Sequence, residues 1–407
     1  MRIALDVTQV LKKEGRGIAR YIHAVVPELV DLHPSSQWKL CIRGSRWSRR
    51  GLVGDWLPSV KRSWLPFSSW MTVGDADLFH SFGNHLPAIS SAPKTFTVHD
   101  FRVLDRSQEV GATGARLRRN IARSDGILCH TEHGRDRLLE YFPKYAGVVS
   151  VAPLGVDHEH FLPQKPEAIE TVRAKFGLTF PFLLQLGSWF PHKNLELSLR
   201  AFSQSRSLQE GSHLVFVGGG ATEAYKKSLQ ELSSALGVTD SVHWIENVSG
   251  KELPGILGAS QCLLQPSHYE GFALPVLEAM ATGIPGVLSN SSCLPEVSAG
   301  IWPALPVDDV DGFALASWVK RQRQVREQLT LEKKSQLEAL NGWVWNVIEY
   351  QWEQGLTHLK HYVQQHKNAF VPMKYKTKCG YNLGQWVSDL RKKNKSLSTE
   401  KLTKTYS

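Results

Sequence analysis

One stretch in the second half of the chain limits most strongly what the protein can fold into. Residues 266–285 read PSHYEGFALPVLEAMATGIP, with seven residues between Glu270 and Glu278. Pro275 suits the first turn of a helix, because its fixed φ is favourable there and its missing N–H would have no partner. The glycine and proline near the end of the stretch terminate that helix. The pattern predicts a strand, a tight loop that carries Glu270, and a helix with Glu278 about two turns in.

Glycine turns follow the first apolar strand of each half of the chain. Residues 2–10 form the first predicted strand, and Gly17 starts the helical pattern behind it. In the second half, residues 182–186 precede Gly187, and Lys193 stands where the next helix opens. Such a turn lets a phosphate approach the backbone and the helix N-terminus, and a lysine adds a point cation. Tight packing would explain the glycine turn as well, and a solvated side chain would explain the lysine.

Length and composition predict a globular protein of two domains. The chain has 407 residues, 42% of them apolar and 21% charged, without an apolar run of 18 residues. Its start lacks the features of a secretion signal, and its five cysteines are scattered, so we expect a reducing, cytoplasmic location. Residues 366–407 hold ten basic and two acidic residues, which is most of the formal net charge of +10. Any inference of nucleic-acid or membrane binding from the net charge therefore applies first to this tail.

The stretch that carries Glu270 and Glu278 resembles a known family. The E-x7-E spacing, with GFALP between the glutamates and EAMATGIP from Glu278 onward, is similar to the signature of retaining nucleotide-sugar glycosyltransferases of family 4. The resemblance implies the GT-B fold, an α/β architecture of two Rossmann-like doubly wound domains facing a cleft. Two positions depart from the family pattern. Ala273 stands where the family usually has glycine, and Ser188 stands where it often has a basic residue.

The same resemblance implies roles for individual side chains. Glu270 would hold the hydroxyls of the transferred sugar, Glu278 would accept hydrogen bonds from the ribose, and Lys193 would face the diphosphate. His99, in a segment that reads TFTVHD, would contact the sugar near its reacting face. Glu270, His99 and Lys193 form the predicted catalytic set. The predicted donor-binding set comprises Gly17, Gly187, Ser188, Lys193, Asn247, Phe272, Ala273, Leu274 and Glu278.

Composition and resemblance also predict how the chain is divided. Residues 1–164 would form the acceptor domain and residues 165–345 the nucleotide-sugar domain, followed by a crossover helix over residues 346–365. The tail, residues 366–407, resembles the helicase-associated repeat through Tyr381, Leu383-Gly384, Trp386-Val387 and Arg391. Its basic and aromatic residues suit nucleic acid, an anionic membrane or an acidic partner, and they are equally compatible with no specific ligand.

Two further segments carry ambiguous signals. Residues 43–70 interleave arginines and lysines with tryptophans, which suits an anionic membrane surface or a polyprenyl-diphosphate acceptor. The alternative is a strand and loop whose tryptophans belong to the core. Asp309-Val310-Asp311 spells a D-x-D, but we expect no metal there, because the match is short and the resembled family needs none. No cofactor is expected beyond the nucleotide-sugar substrate.

The function predicted from these observations is a retaining hexosyltransferase of surface polysaccharide biosynthesis. It would move a hexose, with mannose favoured, from a nucleoside-diphosphate sugar to a glycan or lipid-linked acceptor. GDP-mannose is the favoured donor and a UDP-hexose remains open, as does a peripheral position on the inner face of the membrane. Two alternatives stay open: a GT-B protein that binds nucleotide sugar or glycan without turnover, and a nucleic-acid-associated protein acting through its basic tail.

Overall fold

The computed structural model describes most of the chain and divides it into two compact units. The units are Met1–Arg321 and Gln322–Ser407. The described residues are 1–11, 17–52, 56–57, 59–65, 76–83, 86, 92–105, 111–324, 326–339, 343–377 and 381–392. No helix among them is long and apolar enough to cross a bilayer.

The first unit begins with a parallel sheet of seven strands in the order β3-β2-β1-β4-β5-β6-β7. Its strands are β1 (Arg2–Asp6), β2 (Gln37–Arg43), β3 (Lys61–Leu65), β4 (Leu78–Ser81), β5 (Lys94–Val98), β6 (Gly126–Cys129) and β7 (Val148–Val151). The helices are α1 (Gly17–Leu32), α2 (Arg102–Asp105), α3 (Ala112–Ala122) and α4 (Glu132–Tyr141). The order reverses between β1 and β4, the kind of switch point at which open α/β sheets bind ligands.

The first strand is shorter than predicted. It ends at Asp6 rather than at residue 10, because the buried Asp6 carboxylate accepts hydrogen bonds from the N–H and the hydroxyl of Thr8. These local bonds compete with the sheet ladder. They turn the chain into a short 3-10 helix, Thr8–Leu11, at the edge of the site.

A second parallel sheet of six strands follows in the same unit, in the order β10-β9-β8-β11-β12-β13. Its strands are β8 (Phe182–Ser188), β9 (His213–Gly219), β10 (Val242–Glu246), β11 (Cys262–Gln265), β12 (Gly286–Ser289) and β13 (Ala304–Leu305). Its helices are α5 (Pro166–Phe176), α6 (Leu195–Ser203), α7 (Arg206–Gln209), α8 (Glu223–Ala235), α9 (Leu253–Ala259), α10 (Leu274–Ala281), α11 (Leu294–Val297) and α12 (Val310–Gln324). The order reverses between β8 and β11, and apolar side chains cover both faces. This confirms the predicted pair of doubly wound domains.

The segment over residues 43–70 is only partly described. It contributes the end of β2, a 3-10 helix over Gly44–Leu52, and β3. Trp56 packs into the core of the first sheet and its ring lies 4.7 Å from that of His23. For Trp56 this favours the core alternative over a membrane contact. Phe67 and Trp70 lie outside the described residues.

The second unit is helical. After α12, which runs into this unit, it contains α13 (Leu331–Glu338), α14 (Val347–His366) and α15 (Leu383–Lys392). A cluster that includes Leu359, Tyr362 and Leu383 joins α14 to α15. A β-carbon on Gly355 would lie 2.1 Å from the Trp386 ring, so glycine permits the close approach of the two helices. The predicted crossover helix and the start of the basic tail therefore share one small core.

Candidate functional site

The predicted strand, loop and helix around Glu270 are present. Strand β11 ends at Gln265 and α10 begins at Leu274. Ala273 precedes the helix with φ 65° and ψ 61°, the left-handed region that glycine enters at least cost. This conformation explains why the resembled family has glycine at that position. Glu278 is the fifth residue of α10 and so lies little more than one turn in, not about two as predicted.

Glu270 and Lys193, predicted separately, form a buried ion pair. The Lys193 Nζ lies 2.6 Å from Glu270 Oε1 and 2.7 Å from Oε2. Gln265 Nε2 and Ser267 Oγ also donate to Oε1, at 2.6 and 2.7 Å. Burial alone would raise the pKa of Glu270, but Lys193 and these donors hold that pKa below its usual value. Glu270 is therefore an anion with fixed orientation, and Gln265 and Ser267 are partners that sequence reasoning missed.

Glu278 pairs with a residue from the first sheet's domain. Arg20 Nη1 donates to Glu278 Oε1 at 2.7 Å, and the Arg20 guanidinium stacks over the Phe161 ring at 5.6 Å. Burial raises the pKa of Glu278, and Arg20 offsets part of that rise. Sequence reasoning missed Arg20, although it lies three residues beyond Gly17 on α1 and so faces the same way as the start of that helix.

His99, directly after β5, belongs to a pair of imidazoles. Its Nε2 lies 2.8 Å from the Phe82 carbonyl oxygen, and its Nδ1 lies 3.1 Å from His130 Nε2. The other nitrogen of His130 lies 3.1 Å from the Ala152 carbonyl oxygen. Each carbonyl oxygen accepts a hydrogen bond from a ring N–H, so all three contacts are hydrogen bonds only when the two rings together carry three N–H protons. Burial lowers the pKa of His130 to about 4, which makes His130 the neutral partner.

His130 was missed although the sequence held a signal for it. It follows β6, and β6 pairs in parallel with β5, which precedes His99. The carboxyl ends of neighbouring parallel strands lie at one edge of a sheet, so residues just after them are brought together. The signal becomes usable only once β5 and β6 are known to be neighbours.

A cavity of about 400 Å³ lies between the two sheets' domains. Most of the predicted site residues line this cavity, and so do Arg20, Asp100 and His130, which were not predicted. The predicted residues that line it are Gly17, His99, Glu270, Phe272, Ala273, Leu274 and Glu278. The remaining four are not among its lining residues. Gly187 and Ser188 end β8, Asn247 follows β10 with φ 60°, and Lys193 reaches the site through Glu270.

The loop that carries Glu270 also touches the first domain. Tyr269 Oη accepts the Phe101 N–H at 3.0 Å. A β-carbon on Gly271 would lie 2.2 Å from the His99 carbonyl oxygen, so this contact requires glycine. Further along, the Glu296 carboxylate accepts the first two N–H groups of α4, at 2.7 and 3.1 Å. In all three contacts, backbone groups of the first domain meet the second domain.

A second cavity, of about 360 Å³, adjoins the first on the side of the first sheet. Ile18, His99 and Asp100 line both cavities. Burial raises the pKa of Asp100 above its usual value, although Arg102 opposes the rise. Asp100 is a second functional candidate that sequence reasoning passed over, beside the His99 that it singled out.

The D-x-D segment has a structural role. Asp309 Oδ1 accepts the Gly312 N–H at 2.8 Å and so caps the start of α12. Among the described residues, no group of three or more His, Cys, Asp or Glu side chains is arranged to hold a metal ion. The cation placed beside Glu270 is Lys193.

Comparison with known proteins fits this architecture. Anabaena HepE in complex with UDP and glucose matches with a TM-score of 0.56 and 13% identity, over 84% of this chain and all of that one. The two domains and their cleft thus have the GT-B fold. The family model "Glycosyl transferases group 1" matches residues 169–299, so this part of the second sheet's domain is similar to that family. The model "Helicase associated domain" matches residues 303–346 and 349–405, which includes the tail and also reaches further back than predicted.

Curated relatives are similar over part of their length. A GDP-mannose-dependent alpha-(1-6)-phosphatidylinositol monomannoside mannosyltransferase of Mycolicibacterium smegmatis is 27% identical over 58% of this chain and 61% of its own. O-antigen chain mannosyltransferase B of Escherichia coli is 25% identical over 56% of this chain and 58% of its own. The chain thus matches about three-fifths of the length of these relatives.

Proposed function

We propose that the protein is a retaining hexosyltransferase that moves mannose from a nucleoside-diphosphate sugar to a glycan or lipid-linked acceptor in surface polysaccharide biosynthesis. The observation that carries this proposal is the buried Glu270–Lys193 pair, held at the switch point of the second sheet. Glu270 lines a cavity that His99 of the first sheet also lines. This arrangement presents a fixed anion to sugar hydroxyls and a cation beside it.

The chemistry requires charge to be stabilised on both sides of a breaking bond. Positive charge develops at the anomeric carbon and negative charge on the departing diphosphate, and fixed groups stabilise both best. Lys193 and the N–H groups at the start of α10 suit the diphosphate. Glu270 suits the sugar hydroxyls. The Glu278 carboxylate suits the two ribose hydroxyls once Arg20 releases it.

The favoured donor is GDP-mannose. The Mycolicibacterium relative is named GDP-mannose-dependent, and the Escherichia coli relative is named a mannosyltransferase. A UDP-hexose is the second candidate, because the HepE neighbour is described in complex with UDP and glucose. A glycan or a lipid-linked acceptor would enter from the first domain. A lipid-linked acceptor would bring the enzyme to the inner face of the membrane.

The experiment that tests the proposal is donor-dependent release of nucleotide by the full chain. GDP should appear with GDP-mannose and an acceptor extract, and a Glu270→Gln variant should release none while binding GDP normally. A thermal-shift series with GDP, UDP and their sugars identifies the base, because a bound ligand raises the melting temperature by mass action. Nucleotide binding without release from any donor would point instead to a non-catalytic binding protein.

A further inference from the structure

We propose that the second cavity, lined by Arg43, Arg46, Arg49 and Arg116, binds a phosphate or diphosphate group of the acceptor. This inference rests on the proposed function, because it names the chemical class of acceptor that the same cleft would take. The chemistry recognised is a phosphoanion. Its source is either a lipid diphosphate or a soluble phosphorylated glycan, and the test below separates them.

Three of the four arginines reach the cavity from residues 43–49, and the fourth comes from α3. Arg43 ends β2, Arg46 and Arg49 lie on the 3-10 helix Gly44–Leu52, and Arg116 lies on α3. A 3-10 helix has three residues per turn, so Arg46 and Arg49 project from the same face. The three-residue spacing in the sequence thus becomes one row of guanidinium groups. Arg116 adds a fourth guanidinium from another element.

The cavity carries an excess of positive charge. Asp100 is the one carboxylate among its described lining residues, against four guanidinium groups. Within the part of the chain that the structure describes, no ion pair engages Arg46, Arg49 or Arg116. An anion with at least two negative charges would balance this set, and guanidinium groups bind phosphate oxygens in paired hydrogen bonds.

Two buried polar atoms of the lining residues also lack a hydrogen-bond partner. They are Arg43 Nε and Gln9 Oε1, judged against the described residues. Arg43 Nε lies 4.0 Å from Asp6 Oδ2, which is too long for a hydrogen bond. A buried donor without a partner is costly, and it is commonly satisfied by a bound group. A phosphate oxygen would satisfy Arg43 Nε.

The position of the cavity fits an acceptor rather than the donor. It is separate from Lys193 and Glu270, which lie on the second sheet's side, and it meets the donor cavity at His99 and Asp100. A phosphoanion held among the arginines would leave the attached sugar or hydroxyl to extend past Asp100 toward Glu270. A cavity of about 360 Å³ has room for a discrete phosphate group, which a flat bilayer surface would not supply, so a discrete group is favoured over a membrane plane.

The test is calorimetric titration of the full chain with inorganic pyrophosphate. Arg46→Gln/Arg49→Gln should weaken pyrophosphate binding at least about tenfold, because two charge-assisted contacts are lost. Arg119→Gln, an exposed arginine on α3 outside the cavity, is the matched control and should bind as the wild type does. Unchanged binding in the double variant would overturn the proposal, as would binding lost only in Lys193→Gln.

Two further binding measurements identify the source of the phosphate and distinguish a discrete site from binding to a membrane surface. Farnesyl diphosphate binding at least tenfold tighter than pyrophosphate indicates a lipid diphosphate, and equal affinity indicates a soluble phosphorylated acceptor. Phosphatidylglycerol vesicles that bind through Arg46 and Arg49 without any pyrophosphate binding would overturn the discrete site. GDP binding, measured in the same variants, should be unchanged. If no nucleotide binds any variant, the proposed function fails while the pyrophosphate titration still decides the arginine site.

Discussion

Arg20 and Glu278 are 258 residues apart in the sequence, yet 2.7 Å separates Arg20 Nη1 from Glu278 Oε1. One residue lies on α1 of the first domain and the other on α10 of the second. The ion pair therefore links the domains at the carboxylate that we propose for the ribose. A nucleotide would have to displace Arg20 before it could use Glu278.

Replacing Arg20 should change nucleotide affinity in a pH-dependent way. At pH 8, Arg20→Met should bind GDP about tenfold more tightly, equivalent to about 1.4 kcal/mol, because Glu278 no longer exchanges one partner for another. As the pH falls, the buried carboxylate becomes protonated and affinity is lost. Without Arg20 its raised pKa rises further, so this loss should begin at higher pH than in the wild type.

Calorimetric titration between pH 5 and pH 8 would measure the effect. Glu278→Gln is the reference, since it cannot ionise and should show a nearly flat profile with weak binding. Identical profiles for the wild type and Arg20→Met would show that Glu278 does not contact the nucleotide.

Lys193 should matter for stability as well as for transfer. Lys193→Met leaves the buried Glu270 carboxylate without its cation, which should lower the free energy of unfolding by about 3–5 kcal/mol. Adding Glu270→Gln removes the stranded charge and should restore part of that loss. Urea unfolding of the two single variants and the double variant gives the coupling energy. Strictly additive losses would contradict a direct pair, and all three variants should release no nucleotide.

Gly271→Ala should separate the two domains at the site. The new methyl group would meet the His99 carbonyl oxygen, so the loop has to move, at a cost of about 1–3 kcal/mol. Nucleotide release should fall by tenfold or more, because Glu270 moves with the loop. Gly250→Ala is the control, since a β-carbon there meets nothing within 4 Å. Equal activity in the two variants would mean that the loop tolerates the shift.

The buried His130 should make the protein less stable in acid. Its pKa of about 4 lies below the ordinary value of 6.5, so the unfolded chain takes up a proton before the folded one does. The stabilising contribution of the neutral His130 is fully present above pH 6.5 and is lost as the pH drops from 6.5 to 4. This loss lowers the free energy of unfolding by up to about 3 kcal/mol. His130→Gln should lose this part of the pH dependence, whereas the exposed His33→Gln should keep it. Urea midpoints at pH 7.5, 6 and 5 measure the difference.

Local patterns in the sequence were sufficient for the architecture and for the Glu270 loop. Apolar strands followed by glycine turns predicted both parallel sheets. Pro275 correctly predicted where α10 begins. Local chemistry also limited the prediction. The Asp6 carboxylate ends β1 early and Ala273 adopts a left-handed conformation before α10, and neither feature follows from hydrophobic periodicity.

The residues that were missed depend on which elements are neighbours in space. Arg20 and His130 acquire roles only when α1 faces α10 and β6 lies beside β5. The arginines of residues 43–70 were noticed as a basic and aromatic segment. The common orientation of Arg46 and Arg49 depends on a 3-10 helix, which no apolar pattern in the sequence predicts. Long-range contacts of this kind depend on the order of strands in the sheets and on how the domains face each other. Local sequence patterns do not predict either.

The Glu296 carboxylate provides a natural reporter of domain opening. The first N–H groups of a helix have no partner within it, and on α4 those of Glu132 and His133 donate to a carboxylate from the other domain. Their protection from hydrogen–deuterium exchange therefore measures the fraction of time the domains stay together. Slower exchange at these two amides on adding nucleotide would indicate domain closure, and no probe would have to be attached to the protein.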